Sequence, residues 1–247
     1  MPDRELELKQ KIYDLFHTHK GRYGYRRITS ALRSDGIKIN HKRVQRLMIK
    51  QGLKSNVRPK RYKSYLGQIG EVASNLLERN FTAQKPNQKW VTDVTEFKVA
   101  DQKVYLSPII DLFNQEVVSY EVRKSAALPL VTDMLKRAIS KLSIDDNPLV
   151  HSDQGWQYQN RIYINQLKTR GLTQSMSRKG NCLDNAVAEN FFGILKTEMY
   201  YRESFKNADE LIKAIKEYIN YYNNDRIKLK LKGLSPIAYR NQALEAA

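Results

Sequence analysis

The chain has 247 residues, and its 43 Lys and Arg against 26 Asp and Glu give a formal net charge of +17 at pH 7. Its single cysteine, Cys182, excludes an internal disulfide and a Cys-rich zinc site, and the lack of a long apolar run argues against a secreted or membrane-spanning protein. With 41% hydrophobic residues, it can form one core domain of ordinary size and a smaller domain, and we expect it in the cytoplasm.

The N-terminal quarter of the chain carries most of the positive charge. Residues 1–63 contain 18 Lys and Arg against 5 Asp and Glu, a net charge of +13, whereas the other 184 residues have 25 against 21, a net charge of +4. A small cationic module beside a nearly balanced larger one is typical of a phosphate-binding head on a catalytic body. A merely soluble cationic surface is the alternative.

Residues 1–54 are predicted to form a helix-turn-helix DNA-binding domain. Apolar residues at helical spacing predict helices over about 4–19, 25–34 and 41–51, with Asn40 capping the third. The outer face of the third helix carries Lys42, Arg43, Gln45, Arg46 and Lys50. The last helix of this motif enters the major groove, so we expect the Arg and Gln side chains to face base edges and the two Lys to hold phosphates. The alternative is a plain three-helix bundle with a polar outer face.

Two further segments complete the predicted organisation. Residues 55–85 are a basic linker that either tracks along a phosphate backbone or serves as a plain tether. Residues 86–247 begin with three runs of period two, over 89–98, 104–112 and 116–122, which predict successive strands. The whole segment gives the order β-β-β-α-β-α-β-α-α, which predicts an α/β fold with a mixed sheet flanked by helices.

Three carboxylates stand on separate predicted elements of this larger domain. Asp93 lies in the middle of the first strand, Asp153 follows a strand at 149–152, and Glu189 lies on a helix at 186–200. Asp is disfavoured within strands and costly to bury unpaired, so Asp93 is either a paired core or edge residue or a functional one. Hard oxygen ligands from separate elements suit Mg²⁺, and two such ions can support an in-line phosphoryl displacement. We interpret the three as a metal-binding catalytic triad, although the 35 residues between the last two are by themselves weak evidence.

Four segments of the chain resemble the DDE transposases and retroviral-type integrases. The similarity is to the bacterial insertion-sequence transposases whose second reading frame encodes the catalytic half. The segments are 21–28 (GRYGYRRI), 90–97 (WVTDVTEF), 151–158 (HSDQGWQY) and 175–198 (SMSRKGNCLDNAVAENFFGILKTE). This resemblance spans nearly the whole chain. It implies an RNase H-like core, a triad at Asp93, Asp153 and Glu189, and Mg²⁺ or Mn²⁺ as cofactor, with two ions expected.

The residues near the triad have expected roles as well. Lys196, seven residues after Glu189 and on the same helix face, is expected to hold a phosphate or end base of the bound strand; a solvated helix lysine is the alternative. Arg178 and Lys179 lie in a cationic loop that we expect to close over DNA. Asp184 is expected to cap the helix that begins near residue 186.

The resemblance implies a transposase that cleaves the ends of its own insertion sequence and then transfers the strands. Water is the expected first nucleophile and the freed 3′-OH the second. The expected partners are the terminal repeats, the target DNA, further copies of the chain and a fused upstream-frame portion, with nucleoid association in the cytoplasm. The alternatives are a catalytically inactive DNA-binding regulator of transposition and an RNase H-like nuclease without transposition.

Overall fold

The computed structural model of the chain describes residues 5–55, 72–178 and 182–245. The helices in these ranges are α1 (Leu6–Thr18), α2 (Tyr25–Ser34), α3 (His41–Lys50), α4 (Pro129–Ile139), α5 (Arg161–Arg170), α6 (Ala186–Leu195), α7 (Ala208–Asn224) and α8 (Pro236–Glu245). The strands are β1 (Lys89–Thr92), β2 (Thr95–Val99), β3 (Gln102–Asp111), β4 (Val117–Arg123), β5 (Leu149–Ser152) and β6 (Thr173–Met176). No helix of these ranges is long and apolar enough to cross a membrane.

The first three helices form a small bundle around their own apolar core. That core includes Ile12, Ile28, Leu32, Val44 and Leu47, all fully buried. Asn40 caps α3 as predicted, because its side chain accepts a hydrogen bond from the backbone N–H of Lys42 at 2.9 Å. The helical N-terminal region expected from the sequence is therefore confirmed.

The larger domain is built on a mixed sheet. β3 pairs antiparallel with β4 on one side and with both β1 and β2 on the other. β1 also pairs parallel with β5, and β5 pairs parallel with β6. Side chains alternate across the strands, so Trp90 packs into the layer of α4 and α5 and Val91 into the layer of α6 and α7. The predicted mixed sheet flanked by helices is confirmed.

The single strand predicted over 89–98 is interrupted at Asp93. The register on β3 is the same on both sides of the interruption, with Thr92 opposite Ile109 and Thr95 opposite Leu106. Asp93 therefore lies opposite Pro108 of β3, which has no backbone N–H to donate to the facing strand at this position. The prediction of a continuous strand was wrong, and the break falls at a candidate catalytic carboxylate.

The predicted linker falls partly outside the described residues, which lack 56–71. Its described part, 72–85, contains neither helix nor strand and runs along the edge of the sheet. There the hydroxyl of Ser175 accepts hydrogen bonds from the backbone N–H groups of Leu76 and Leu77 at 2.9 and 3.2 Å. The predicted domain boundaries at 54 and 85 stay a prediction.

The C-terminal helices differ from the sequence prediction in two places. The helix predicted over 186–200 is α6 followed by a wider, π-helical turn at Lys196–Tyr200, in which the N–H of Tyr201 donates to the carbonyl of Lys196. Helix α8 was not predicted. It is held by an ion pair between Arg240 and Glu116 at 2.7 Å, a contact with a distant turn that sequence spacing does not reveal.

Candidate active site

Asp93 and Asp153 leave neighbouring parallel strands at the same end of the sheet. β1 and β5 are paired with Val91 opposite His151, and each Asp lies two residues beyond this pair. Glu189 lies in the first turn of α6, the helix layer that packs against β1. The topology therefore brings the three predicted carboxylates to one region of the domain.

The three carboxylates influence one another electrostatically. Burial raises the pKa of Asp93 well above its ordinary value, and the negative charges of Asp153 and Glu189 raise it further, while the nearby Lys196 ammonium acts in the opposite direction. Burial also raises the pKa of Asp153. In the absence of a cation, this environment therefore favours protonation of the two Asp side chains.

One oxygen of each Asp carboxylate is fixed by the backbone. The N–H of Val94 donates to Oδ1 of Asp93 at 2.7 Å, and the N–H of Gly155 donates to Oδ1 of Asp153 at 2.9 Å. A Cβ atom at position 155 would lie 2.9 Å from Oδ1 of Asp153, so glycine permits this close approach. Within the described ranges no hydrogen bond reaches either Oδ2 atom, which leaves one oxygen of each carboxylate available to a ligand.

Asn185 connects the strand of Asp93 to the helix of Glu189. Its side-chain Nδ2 donates to the backbone carbonyl of Thr92 at 3.1 Å. Thr92 is the residue before Asp93, and Asn185 itself lies about one helical turn before Glu189. The side chain is buried, yet its Oδ1 has no hydrogen-bond partner among the described residues. An unsatisfied buried amide oxygen is costly and marks a position where a further donor or a cation fits.

Lys196 is partly buried and contacts the strand that follows Asp93. Its Nζ donates to the hydroxyl of Thr95 at 2.9 Å and lies 5.0 Å from the centre of the Phe97 ring. Burial lowers the pKa of the ammonium, and the charges of Glu96 and Asp93 oppose that shift. The alternative of a freely solvated lysine is therefore wrong, while its expected contact with DNA stays a prediction.

Asp184 does not cap α6. No side-chain cap is present at that helix, and Asp184 is instead buried in ion pairs. Arg178 donates to both of its carboxylate oxygens, at 2.9 and 3.0 Å, and Arg79 donates at 2.8 Å. The hydrogen bond from Arg178 has the largest effect, and together with that from Arg79 it holds the pKa of Asp184 below its ordinary value. The DNA contact expected of Arg178 stays a prediction, and Lys179 lies outside the described residues.

The polar face of α3 is exposed along its length, as expected. The exposed side chains are Lys42, Arg43, Gln45, Arg46 and Lys50. Two of them share one acceptor, because Nε of Arg43 and a terminal nitrogen of Arg46 both donate to Oε1 of Glu5, at 3.1 and 2.7 Å. The Glu5 carboxylate thus forms ion pairs with the two arginines that are predicted to read bases. Their contact with DNA stays a prediction.

The donor set around the carboxylates fits a hard divalent cation. The described residues contain no group of three or more His, Cys, Asp or Glu side chains already arranged around a metal position. Like charges repel one another, so carboxylates without a cation are not expected to converge. The two available Asp oxygens, Glu189 and the unpaired amide oxygen of Asn185 are all ligands that Mg²⁺ or Mn²⁺ accepts.

Family models match nearly the whole chain. An HTH-like domain matches residues 3–61, and two models described as integrase core domain match residues 83–182 and 189–244. Across 241 residues the chain is 55% identical to InsK, named as a transposase of insertion sequence IS150 in Escherichia coli K12, covering 98% of this chain and 85% of that protein. A transposase of IS904 from Lactococcus lactis is 37% identical, with 95% and 93% covered.

Solved structures with the same fold include a retroviral integrase core. The catalytic core domain of the HTLV-2 integrase, solved with magnesium in a trimeric form, is 20% identical with a TM-score of 0.52. The match covers 64% of this chain and 99% of that one. At this identity the likeness concerns the fold alone, and it confirms the RNase H-like architecture expected above.

Proposed function

The chain belongs to the insertion-sequence transposases that include the IS150 and IS904 relatives, and we propose that it cleaves the ends of its own element and joins them to target DNA. Asp93, Asp153 and Glu189 are the proposed catalytic triad. The observation that carries this proposal is the arrangement of the first two on neighbouring parallel strands, where the charges of Asp153 and Glu189 act on Asp93. A buried group of like charges is stabilised either by protonation or by a bound cation, and only a cation leaves the carboxylates ionised.

The proposed reaction consists of two phosphoryl displacements. In the first, a water oxygen attacks the phosphorus at the element end, the P–O3′ bond breaks, and the leaving 3′-oxygen takes up a proton. In the second, this 3′-OH attacks a phosphorus of the target, so that a new P–O3′ bond forms and a target 3′-OH is released. Neither step requires a covalent enzyme intermediate, which agrees with a triad of carboxylates and no nucleophilic side chain.

Divalent cations are part of this proposal. We propose that two Mg²⁺ or Mn²⁺ ions are held by the available oxygens of Asp93 and Asp153 together with Glu189. When bound, such ions activate the attacking oxygen and stabilise the leaving one. The backbone N–H groups of Val94 and Gly155 keep the two Asp side chains oriented, and Asn185 fixes α6 relative to the end of β1.

The cationic residues have proposed roles in holding DNA. Lys196, which contacts the strand after Asp93, is proposed to hold a phosphate or end base of the strand to be cut. The exposed face of α3 is the proposed reader of the terminal repeat. Because two ends must be brought together, we propose a homo-oligomer on DNA at the nucleoid, and a fused upstream-frame portion as a further partner.

A cleavage assay tests this function. A labelled duplex that ends in the border sequence of the element is incubated with the chain and Mg²⁺ or Mn²⁺, beside Glu189→Gln and an EDTA control. The exposed Glu203 supplies a matched control, Glu203→Gln, which also removes one carboxylate. Nicking and strand transfer should occur with the wild type and Glu203→Gln and disappear with Glu189→Gln and EDTA. Cleavage that persists in Glu189→Gln would contradict the triad, and binding without cleavage under all conditions would favour the inactive regulator.

A further inference from the structure

The segment 21–28, GRYGYRRI, joins the two domains. The fully buried Tyr23 donates its hydroxyl hydrogen to the carbonyl of Asp225 at 2.8 Å, and its oxygen accepts the N–H of Ile227 at 2.8 Å. The Ile227 side chain packs against the apolar core of the helix-turn-helix domain. His19 stacks on the Tyr23 ring and contacts the Tyr221 hydroxyl at 3.2 Å. This motif therefore faces the catalytic domain.

Glu198 lies at the centre of this contact. Its carboxylate accepts hydrogen bonds from Arg226 at 2.6 and 2.8 Å and from Tyr218 at 2.9 Å, all within the catalytic domain. Arg27, from α2 of the helix-turn-helix domain, approaches the same carboxylate at 3.4 Å. Arg22 donates to the backbone carbonyl of Glu198 at 3.1 Å. We call these five residues the Glu198 joint.

The Glu198 joint holds the turn that also carries Lys196. Residues two apart in a helical turn point to nearly opposite sides, so Glu198 faces the helix-turn-helix domain while Lys196 faces β2 and bonds to Thr95. The turn at Lys196–Tyr200 is thus fixed between the DNA-binding domain and the strand that follows Asp93. π-Helical turns of this kind occur frequently at functional sites.

We propose that Glu198 is a positioning residue that holds the DNA-binding domain at a fixed distance from the active site, so that the bound end is cut at one defined phosphate. The inference rests on the proposed function. A terminal repeat read by α3 reaches the carboxylates only at the separation that the joint sets. Loosening the joint lets the end slide relative to the carboxylates, which lowers the rate and spreads the cuts over neighbouring phosphates.

The test compares Glu198→Gln with a matched control in the full chain. Glu198→Gln keeps the shape of the side chain and removes the charge shared by Arg226 and Arg27. Glu116→Gln is the control, because it breaks an ion pair to Arg240 on the far helix α8 and leaves the joint intact. Arg27→Gln, which removes the charge that the helix-turn-helix domain contributes to the joint, repeats the test should Glu198→Gln fail to fold.

Two measurements are made on each variant. Hydrogen–deuterium exchange without metal reports on the backbone amides of 19–27 and 196–200, and a sequencing gel reports the rate and position of cleavage of the end duplex. We expect exchange in both segments to rise together in Glu198→Gln and not in Glu116→Gln. Cleavage at the main position should fall roughly 10- to 100-fold, with new cuts at adjacent phosphates and little change in DNA affinity.

Other outcomes would contradict the inference or the function separately. Faster exchange in both segments with an unchanged rate and a single cut position would overturn the positioning role. Exchange that rises in 196–200 but not in 19–27 would show that the two domains are not linked through Glu198. Absence of cleavage by the wild type would contradict the proposed function instead, while the exchange measurement would still decide whether the joint links the domains.

Discussion

Asp93 lies opposite Pro108 across the β-ladder, at the point where the strand formed by β1 and β2 is interrupted. Proline is rarely found inside a central strand because it cannot donate a ladder hydrogen bond. Here its position coincides with the candidate catalytic carboxylate of Asp93. The pair therefore links a local defect of the sheet to the candidate active site.

Replacing Pro108 should make the sheet more regular and lower the cleavage activity. Pro108→Val restores an N–H and a residue of high β-propensity opposite Asp93, so the ladder can close and draw Asp93 into a regular strand. We expect cleavage to fall while the free energy of unfolding stays equal or rises. The measurement pairs the cleavage assay with chemical denaturation, and Tyr105→Phe on the same strand is the control. Full activity in Pro108→Val would contradict the prediction that cleavage depends on Pro108.

Removing the Asp93 charge should stabilise the protein without metal. Burial and the neighbouring carboxylates raise the pKa of Asp93, so its ionised form is unfavourable in the folded state and Asp93→Asn relieves that cost. Mn²⁺ or Mg²⁺ at a hundredfold excess over Kd should stabilise the wild type by about 2.7 kcal/mol and therefore raise its melting temperature. The same ions should have little effect on Asp93→Asn. Equal metal-induced shifts in the two proteins would place the cation elsewhere.

Sequence periodicity was sufficient where an element depends on its own residues. The bounds of α2 and β5 follow from the spacing of their own apolar residues, and the structure has them as predicted. The interruption at Asp93 could not be predicted in this way, because it involves Pro108 on another strand. The same holds for the ion pairs of Asp184, whose partner Arg79 lies far away in sequence.

The role of the GRYGYRRI segment was missed for a similar reason. Its partners, Glu198 and the backbone of Asp225, are close to it only in the folded chain, and from the sequence it lies in and after the gap between two predicted helices. A signal was present all the same. Two Tyr and three Arg within eight residues exceed what a turn requires, and they are the side chains that form cation–π and buried ion-pair contacts.

Acid should weaken the Glu198 joint. Burial alone would raise the pKa of Glu198, but the hydrogen bonds and charge of Arg226, with Arg27 and Tyr218, outweigh it, so the pKa lies below its ordinary value of 4.5. A lowered carboxylate pKa gives stability that is present above the unfolded-state value and is lost as the pH falls through the folded-state value.

Glu198→Gln should therefore lose about 3 kcal/mol of stability at neutral pH and show a smaller further loss than the wild type below pH 4.5. Denaturation at several pH values measures both, with the exposed Glu203→Gln as control; parallel pH profiles in wild type and Glu198→Gln would contradict the assignment.

Releasing the arginines of α3 should strengthen DNA binding. Arg43 and Arg46 both donate to the carboxylate of Glu5, so DNA must compete with that carboxylate for the two side chains predicted to read bases. Glu5→Gln weakens the competition, and we expect a lower Kd for the border duplex at every salt concentration, because the two arginines no longer have to leave a carboxylate. Glu7→Gln is the matched control, since it also removes one negative charge near the start of α1, but Glu7 pairs with Lys11 and not with an arginine of α3. Titrations between 50 and 200 mM salt, a range over which six or more phosphate contacts cost about a thousandfold in affinity, separate the two variants. If Glu5→Gln and Glu7→Gln bind alike, the gain comes from net charge alone, and the arginines of α3 are not the residues that the DNA contacts.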